Sequence, residues 1–324
     1  MLERAGRVLR EGGLVAFPTE TVYGLGANAL DPAAVASIYA AKERAADDPL
    51  IVHISNVEEL ETVAAVVPPV ARLLAARFWP GPLTLVLERH PRVASNVATG
   101  LDTVAVRVPR HAVALGLIRA AGVPVAAPSA NRFTRTSPTT AAHVLEDLRG
   151  RVDLVLDAGP CEVGVESTVL DLTGARPALL RPGGVPVQAI EAVLGKSVVK
   201  GGRRRSSPGM MAKHYAPRAR LVYVRGGREA LIAAVRRERE RGVLGLLLPS
   251  ELLVEALREA PAAAHCDLGP VDEPRLAARR LFAGMRELDA AGVTVIVAAG
   301  PAEEGLGAAV ADRLRRAATE IVEL

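Results

Sequence analysis

From residue 220 onward, segments of strand and helix character alternate without a break, and that alternation leaves few folds open. Apolar stretches at 220–225, 243–248, 265–268 and 293–298 each precede an amphipathic stretch, at 228–241, 250–258, 274–290 and 307–320. A strand that is followed by a helix before the next strand returns to its sheet by a crossover. About 105 residues of this pattern therefore predict a small doubly wound, Rossmann-like parallel sheet at 218–324. The first of these strands runs into Arg225-Gly226-Gly227-Arg228, too short and one glycine short of a dinucleotide fingerprint, so an accessory domain is expected.

Residues 1–195 are organised differently. Residues 3–11 read as a helix closed by Gly12-Gly13, and Leu14 to Phe17 as a buried strand. Asp31-Pro32 supplies an N-cap and first turn for a helix to about Lys42. Further strands are expected at 50–54, 83–87, 104–108, 124–127, 152–156, 166–172 and 178–181. Helices are expected on either side of Pro68-Pro69, at 111–121 and after Thr139-Thr140, which makes this a mixed α/β domain. The stretch 196–217 is basic, contains Gly, Ser and Pro, and lacks apolar periodicity, as a linker does.

Composition excludes several classes of function. A length of 324 residues suits two domains at roughly 150 residues each, and no apolar run approaches the ~20 residues of a membrane span. No cationic leader with an apolar stretch opens the chain, and the two cysteines, Cys161 and Cys266, stand far apart. A soluble, cytoplasmic protein with no membrane partner is the expectation. The six histidines form no metal-binding pair, so no protein-held metal is expected. A formal charge of +4 suits an anionic ligand, while 3% aromatics are too few for the platforms on which single-stranded nucleic acid stacks. Only four of the 40 cations are lysine, among them Lys42.

Five segments carry chemistry. In the first, 17–26, Thr19, Thr21, Tyr23 and Glu20 follow a buried strand, and glycines then permit close approach to a ligand; a self-capped Pro-Thr turn fits equally. In the second, Lys42 and Arg44 close a helix, as phosphate binders or as solvated cations at the negative end of its dipole. His53 shares the face of Ile51, a position usual for a satisfied core residue. In the third, Arg107 stands inside an apolar strand and requires an anionic partner, internal or a ligand, the ligand being favoured. The fourth, Ala126 to Asn131 with Ser137 to Thr140, suits a nucleotide or a helix N-cap. In the fifth, Glu166-Ser167-Thr168 precedes Arg181, which stands near Gly183 and Gly184 as an anion site or a surface turn. No Walker A motif, GxSxG or catalytic triad is present.

Together these segments resemble one family. FPTETVYGLG, the KxR of Lys42 and Arg44, WPGPLTLVL, VAVRVP, APSAN, SPTT, GVESTV, LLRPGG and SPGM...HYAP occur in order across 14–217. With the Ser-x-Asn of Ser129 and Asn131 they are similar to the YrdC-like domain of the L-threonylcarbamoyladenylate synthases. The α/β unit behind them matches the long, two-domain form of that family.

The resemblance implies an open, twisted mixed sheet around a concave basic cleft at 1–195, a linker at 196–217 lying over the active site as a lid, and the Rossmann-like domain at 218–324. It implies synthesis of threonylcarbamoyl-AMP and diphosphate from L-threonine, bicarbonate or CO2, and ATP with Mg2+. The product would pass to tRNA threonylcarbamoyl-transfer proteins that build N6-threonylcarbamoyladenosine at position 37 of tRNAs reading ANN codons. By the same resemblance Thr21, His53, Arg107, Ala127 and Ser167 surround threonine, with Arg107 on its carboxylate. Lys42, Arg44, Asp48, Thr103, Ser129, Asn131, Ser137, Arg181, His214 and Tyr215 line the ATP site, Lys42 and Arg44 being catalytic. Three departures from the family pattern stand out: Ala45 for proline, Asp48 for asparagine, and Phe133-Thr134 for Ser-Gly. The competing readings are a double-stranded RNA-binding module and a carbamoyl-adenylate-forming enzyme of hydrogenase maturation; weak RNA binding is a further partner expectation.

Overall fold

In the computed structural model, which describes residues 1–44, 48–201 and 214–323, helices begin where their caps stand in the sequence. Asp31 accepts hydrogen bonds from the Ala33 and Ala34 amides, and Thr140 accepts one from the His143 amide. Gly122 closes another helix with a φ of +64°, a left-handed conformation that glycine adopts without strain.

The described residues fall into two compact units. The first takes 1–44, 48–133, 137–162 and 166–201; the second takes 134–136, 163–165 and 214–323. In chain order the first unit holds α1 (Leu2–Arg10), β1 (Val15–Phe17), β2 (Gly24–Asn28), α2 (Pro32–Lys42), β3 (Ile51–His53), α3 (Leu60–Val63), β4 (Ala64–Val66) and α4 (Pro69–Phe78). It continues with β5 (Leu83–Arg89), β6 (Thr103–Arg107), α5 (Ala112–Ala121), β7 (Val125–Ala126), α6 (Ala141–Leu148), β8 (Leu154–Val155), β9 (Thr168–Asp171), β10 (Ala178–Arg181), α7 (Val187–Leu194) and β11 (Val199–Lys200).

The strands form one mixed sheet in the order β11-β10-β9-β5-β6-β3-β7-β2-β1-β8, with β4 paired to β5. Period-two alternation divides their side chains between cores. Leu14 and Ala16 join the large cluster around Val35, Ile38 and Leu85, whereas Val15 and Phe17 join the one built by α1 and α5. These two helices approach so closely that a Cβ on Gly6 would lie 2.5 Å from the Ala120 carbonyl carbon. A third, small cluster of Ile51, Val86, Ala105, Val169 and Leu180 covers the remaining face of the central strands.

Strand β2 was not among the expected strands. Its glycines serve the sheet instead: a Cβ on Gly26 would lie 2.8 Å from both the Phe17 ring and Val125. Strands β4 and β11 were likewise unexpected, being too short for a period to register.

The second unit contains β12 (Arg220–Val224), α8 (Arg228–Arg239), β13 (Leu244–Leu248), α9 (Ser250–Glu259), β14 (Ala264–Asp267), α10 (Pro274–Ala290), β15 (Val295–Ala298), α11 (Gly307–Ala317) and β16 (Glu320–Val322). All its strand pairs are parallel, in the order β14-β13-β15-β12-β16. Helices α8 and α9 pack together, as do α10 and α11, the doubly wound layout expected. The last helix ends at Ala317, and Glu320 opens an edge strand rather than closing that helix.

Two short pieces of the first 195 residues belong to this second unit. Gly164, at φ +79°, lies so close to α10 that a Cβ would come within 2.4 Å of the Arg279 Cα. Thr134 accepts a hydrogen bond from the Ala216 amide, and the Thr136 carbonyl accepts one from Arg286 Nη2. No helix among the described residues is long and apolar enough to cross a membrane.

Candidate active site

Strand register aligns polar side chains across one face of the first unit's sheet. His53 pairs with Arg107, and continuing β5–β6 one step beyond Leu85–Val106 brings Thr84 opposite Arg107. Thr84 pairs with Val169, which pairs with Arg181, and Ser167 shares the face of Val169 two residues on. Residues at these positions belong to the same face as Ile51, Ala105 and Val169, so the row stands beside the small apolar cluster.

Arg107 is held on three sides. Its Nε donates to the Gly81 carbonyl (3.2 Å), Nη1 donates to Thr21 Oγ1 (2.9 Å), and Nη2 lies 2.6 Å from Glu20 Oε2. The anionic partner that a buried arginine requires is thus internal in this structure, where a ligand had been favoured. Thr21 is fixed by Thr19 Oγ1 at 2.8 Å, and Thr19 donates to the Val22 carbonyl.

Beyond Arg107, the Thr84 and Ser167 hydroxyls lie 2.8 Å apart, and Arg181 donates to the Ser167 carbonyl through Nε and Nη2. Gly183 permits this corner, since a Cβ there would sit 2.3 Å from the Glu166 carbonyl oxygen. Ser137 donates to Glu166 Oε1 at 2.5 Å. Ala127, beside Gly24, donates its amide to the Ile51 carbonyl.

Lys42 is buried at the end of α2, where its ammonium donates to the Ser129 and Asn131 carbonyls. Burial, and next the charge of Arg44, push its pKa well below the usual lysine value. Arg44 lies 2.7 Å from Asp48 Oδ2, donates to the Pro49 carbonyl at 3.1 Å, and sits over the Phe133 ring. Two of the family departures therefore act here: Asp48 neutralises Arg44, and Phe133 supports its guanidinium. Ala45 lies outside the described residues. Thr103 begins β6, about 13 Å along the strand from Arg107. By the β3–β6 register it stands level with Pro49, on the Arg44 side of the site.

The β1–β2 loop joins the two groups. Thr21 receives Arg107, while the Tyr23 carbonyl accepts from the Ala130 amide and Gly24 bridges Ser129. Thr21 and Gly24 are three residue steps apart along the chain, at most about 10 Å. His214 and Tyr215, by contrast, belong to the second unit. There the Tyr215 ring packs against His214 (4.1 Å), Phe282 (5.5 Å) and the Arg313 guanidinium (5.2 Å). Most of the expected lid, residues 202–213, lies outside the described residues.

Burial, and next the nearby charge of Arg107, push the His53 pKa down to about 3. An unfolded chain protonates histidine near 6.5, so the stability that neutral His53 contributes is intact above pH 6.5. It is lost as pH falls toward 3, at up to roughly 1.4 kcal/mol per pH unit. His53→Gln should flatten this slope in urea denaturation at pH 7, 6, 5 and 4; parallel wild-type and variant profiles would contradict it.

Glu20 and Glu166 stand in the polar segments named above without a role of their own, and Thr84 was not singled out. Glu20 and Thr84 were nonetheless visible, as a carboxylate between two threonines and as the one hydroxyl of an apolar strand.

Known proteins share this sequence and fold. The Sua5/YciO/YrdC family, described as telomere recombination, matches residues 7–183, and the threonylcarbamoyl-AMP synthase C-terminal domain matches 185–319. Threonylcarbamoyl-AMP synthase of Pyrococcus abyssi is 46% identical, covering 97% of this chain and 92% of that protein. The Bacillus subtilis enzyme of the same name is 43% identical, covering 98% and 92%. The crystal structure of P. abyssi Sua5 complexed with L-threonine is similar at a TM-score of 0.92 and 44% identity, covering 100% of this chain and 96% of that one. The chain belongs to the Sua5/YciO/YrdC family, in the form that carries the threonylcarbamoyl-AMP synthase C-terminal domain.

Proposed function

We propose that the chain is a threonylcarbamoyl-AMP synthase, condensing L-threonine, bicarbonate or CO2, and ATP into threonylcarbamoyl-AMP and diphosphate for tRNA modification. The observation that carries this reading is the buried Arg107 row standing one short loop from Lys42 and Arg44. In this reading a carboxylate-binding group and a phosphate-binding group adjoin, with no nucleophilic side chain needed between them. A buried row of this kind cannot reach the backbone of an RNA duplex, since Arg107 and Ser167 are 3% and 1% exposed.

Threonine's amine and CO2 give a carbamate, whose oxygen attacks the α-phosphorus of ATP as the bond to diphosphate breaks. Such a reaction asks the protein for position and charge. In this reading Arg107 receives the threonine carboxylate, and Thr21, His53, Ala127 and Ser167 shape the pocket around it. Lys42 and Arg44 meet the triphosphate, with Thr103, Ser129, Asn131, Ser137 and Arg181 along the nucleotide. Neutral His53 adds no second cation to the pocket.

Mg2+ would arrive with ATP, bound through phosphate oxygens and water, and would neutralise charge on the departing diphosphate. Among the described residues no group of three or more His, Cys, Asp or Glu is arranged to hold a metal. Glu20 and Asp48 each face an arginine instead. The donor set thus suits a phosphate-borne ion. The adenylate would pass to tRNA threonylcarbamoyl-transfer proteins.

Diphosphate release should require ATP, Mg2+, bicarbonate and L-threonine together, and should fall when L-serine replaces threonine. Release that is indifferent to threonine would end the synthase reading.

A further inference from the structure

We propose that Glu20 is the ammonium-binding half of an amino-acid pocket whose carboxylate-binding half is Arg107. The inference rests on the synthase reading and adds to it the group that recognises the substrate's α-amino end.

Glu20 is 1% exposed and Arg107 3%. Both Glu20 oxygens are buried without a hydrogen-bond partner among the described residues; Oε2 makes an ion pair with Arg107 Nη2 at 2.6 Å, and Oε1 lacks even that. An unbonded carboxylate oxygen in a dry site is costly. Nearby hydroxyls do not relieve it, because Thr19 donates to the Val22 carbonyl and Thr21 is taken up by Thr19 and Arg107. His111 and Cys161 are titratable groups that feel the charge of Glu20. Neither forms a hydrogen bond to it, and burial holds the Cys161 thiol neutral, its pKa pushed up to about 12.

The pair is electrically neutral, which dictates what can join it. A simple carboxylic acid would add an uncompensated negative charge to a buried site. A zwitterionic α-amino acid adds none: its carboxylate takes the N–H groups that Arg107 has left, and its ammonium takes Glu20 Oε1. Opposite charges separated by a single carbon match a guanidinium and a carboxylate already in contact. Glu20 thereby sets specificity for an amino acid over its deaminated analogue.

Calorimetric titration of the full chain with L-threonine and with 3-hydroxybutyrate, which lacks only the amine, tests the assignment. Wild type should bind L-threonine more tightly. Glu20→Gln should weaken L-threonine roughly 10–100-fold, the worth of a charge-assisted hydrogen bond, while 3-hydroxybutyrate binds as well or better. Parallel weakening of both ligands would reduce Glu20 to a support for Arg107 and overturn the proposal. ATP titration of the same variant, expected to match wild type, reports whether it is folded. If it is not, Glu20→Asp should keep the preference for L-threonine, and loss of that preference counts against the assignment. Wild type that discriminates the two ligands but releases no diphosphate would overturn the synthase reading alone; unchanged discrimination in Glu20→Gln would overturn Glu20 alone.

Discussion

Arg107→Ala should lose both synthesis and stability. The substitution removes a guanidinium that touches the Gly81 carbonyl, Thr21 and Glu20, and it leaves Glu20 charged, buried and unpaired. Breaking a buried pair from one side costs about 3–5 kcal/mol, which chemical denaturation will read. Threonine-dependent diphosphate release should fall roughly 10²–10³-fold, since a forked contact to a carboxylate contributes some 3–4 kcal/mol. The double variant Glu20→Ala, Arg107→Ala separates the two losses. Removing both charges should return much of the stability, because the uncompensated carboxylate has gone, and none of the activity. A single variant with wild-type threonine dependence would remove Arg107 from the substrate site.

Lys42→Ala is the second substitution of large expected effect. Lys42 is 1% exposed, and among the described residues its ammonium donates to two backbone carbonyls and to no carboxylate. A cation held this way is poorly compensated until an anion arrives, and a triphosphate is the anion proposed. Diphosphate release should fall roughly 10²–10³-fold, as when a preorganised electrostatic contact is removed from a phosphoryl-transfer site. Saturating ATP should raise the stability of wild type by about 2.7 kcal/mol at a hundredfold excess over Kd, and that of the variant far less. Lys42→Arg should not rescue activity, because the planar fork does not fit where a compact ammonium meets the Ser129 and Asn131 carbonyls. Equal ATP stabilisation of wild type and Lys42→Ala would assign the triphosphate to other residues.

Elements whose signals are local were legible in the chain. The Asp31 and Thr140 caps, the Gly122 stop and the period-two burial of 14–17 each follow from atoms within a few residues. Strands β2, β4 and β16 were not legible. β2 owes its place to partners on both sides rather than to its Gly-rich sequence, and β4 and β16 are short stretches with exposed residues. At the site, the residue types were readable but not their partners. Arg107 announced a need for an anion, and nothing nearby in the chain named Glu20.

Composition and pattern along the chain sufficed for the two-part organisation, the parallel character of the C-terminal sheet and the residues that carry charge into apolar surroundings. Periodicity, capping and the cost of burying an ion are all local or chemical facts. Which charges meet is set by the folded chain. Register across five strands aligns His53, Arg107, Thr84, Ser167 and Arg181 on one face, and the β1–β2 loop sets that row beside Lys42. The physical reason is that a buried ion pair is specified by the geometry of distant segments, while each partner, read alone, specifies only that a partner must exist.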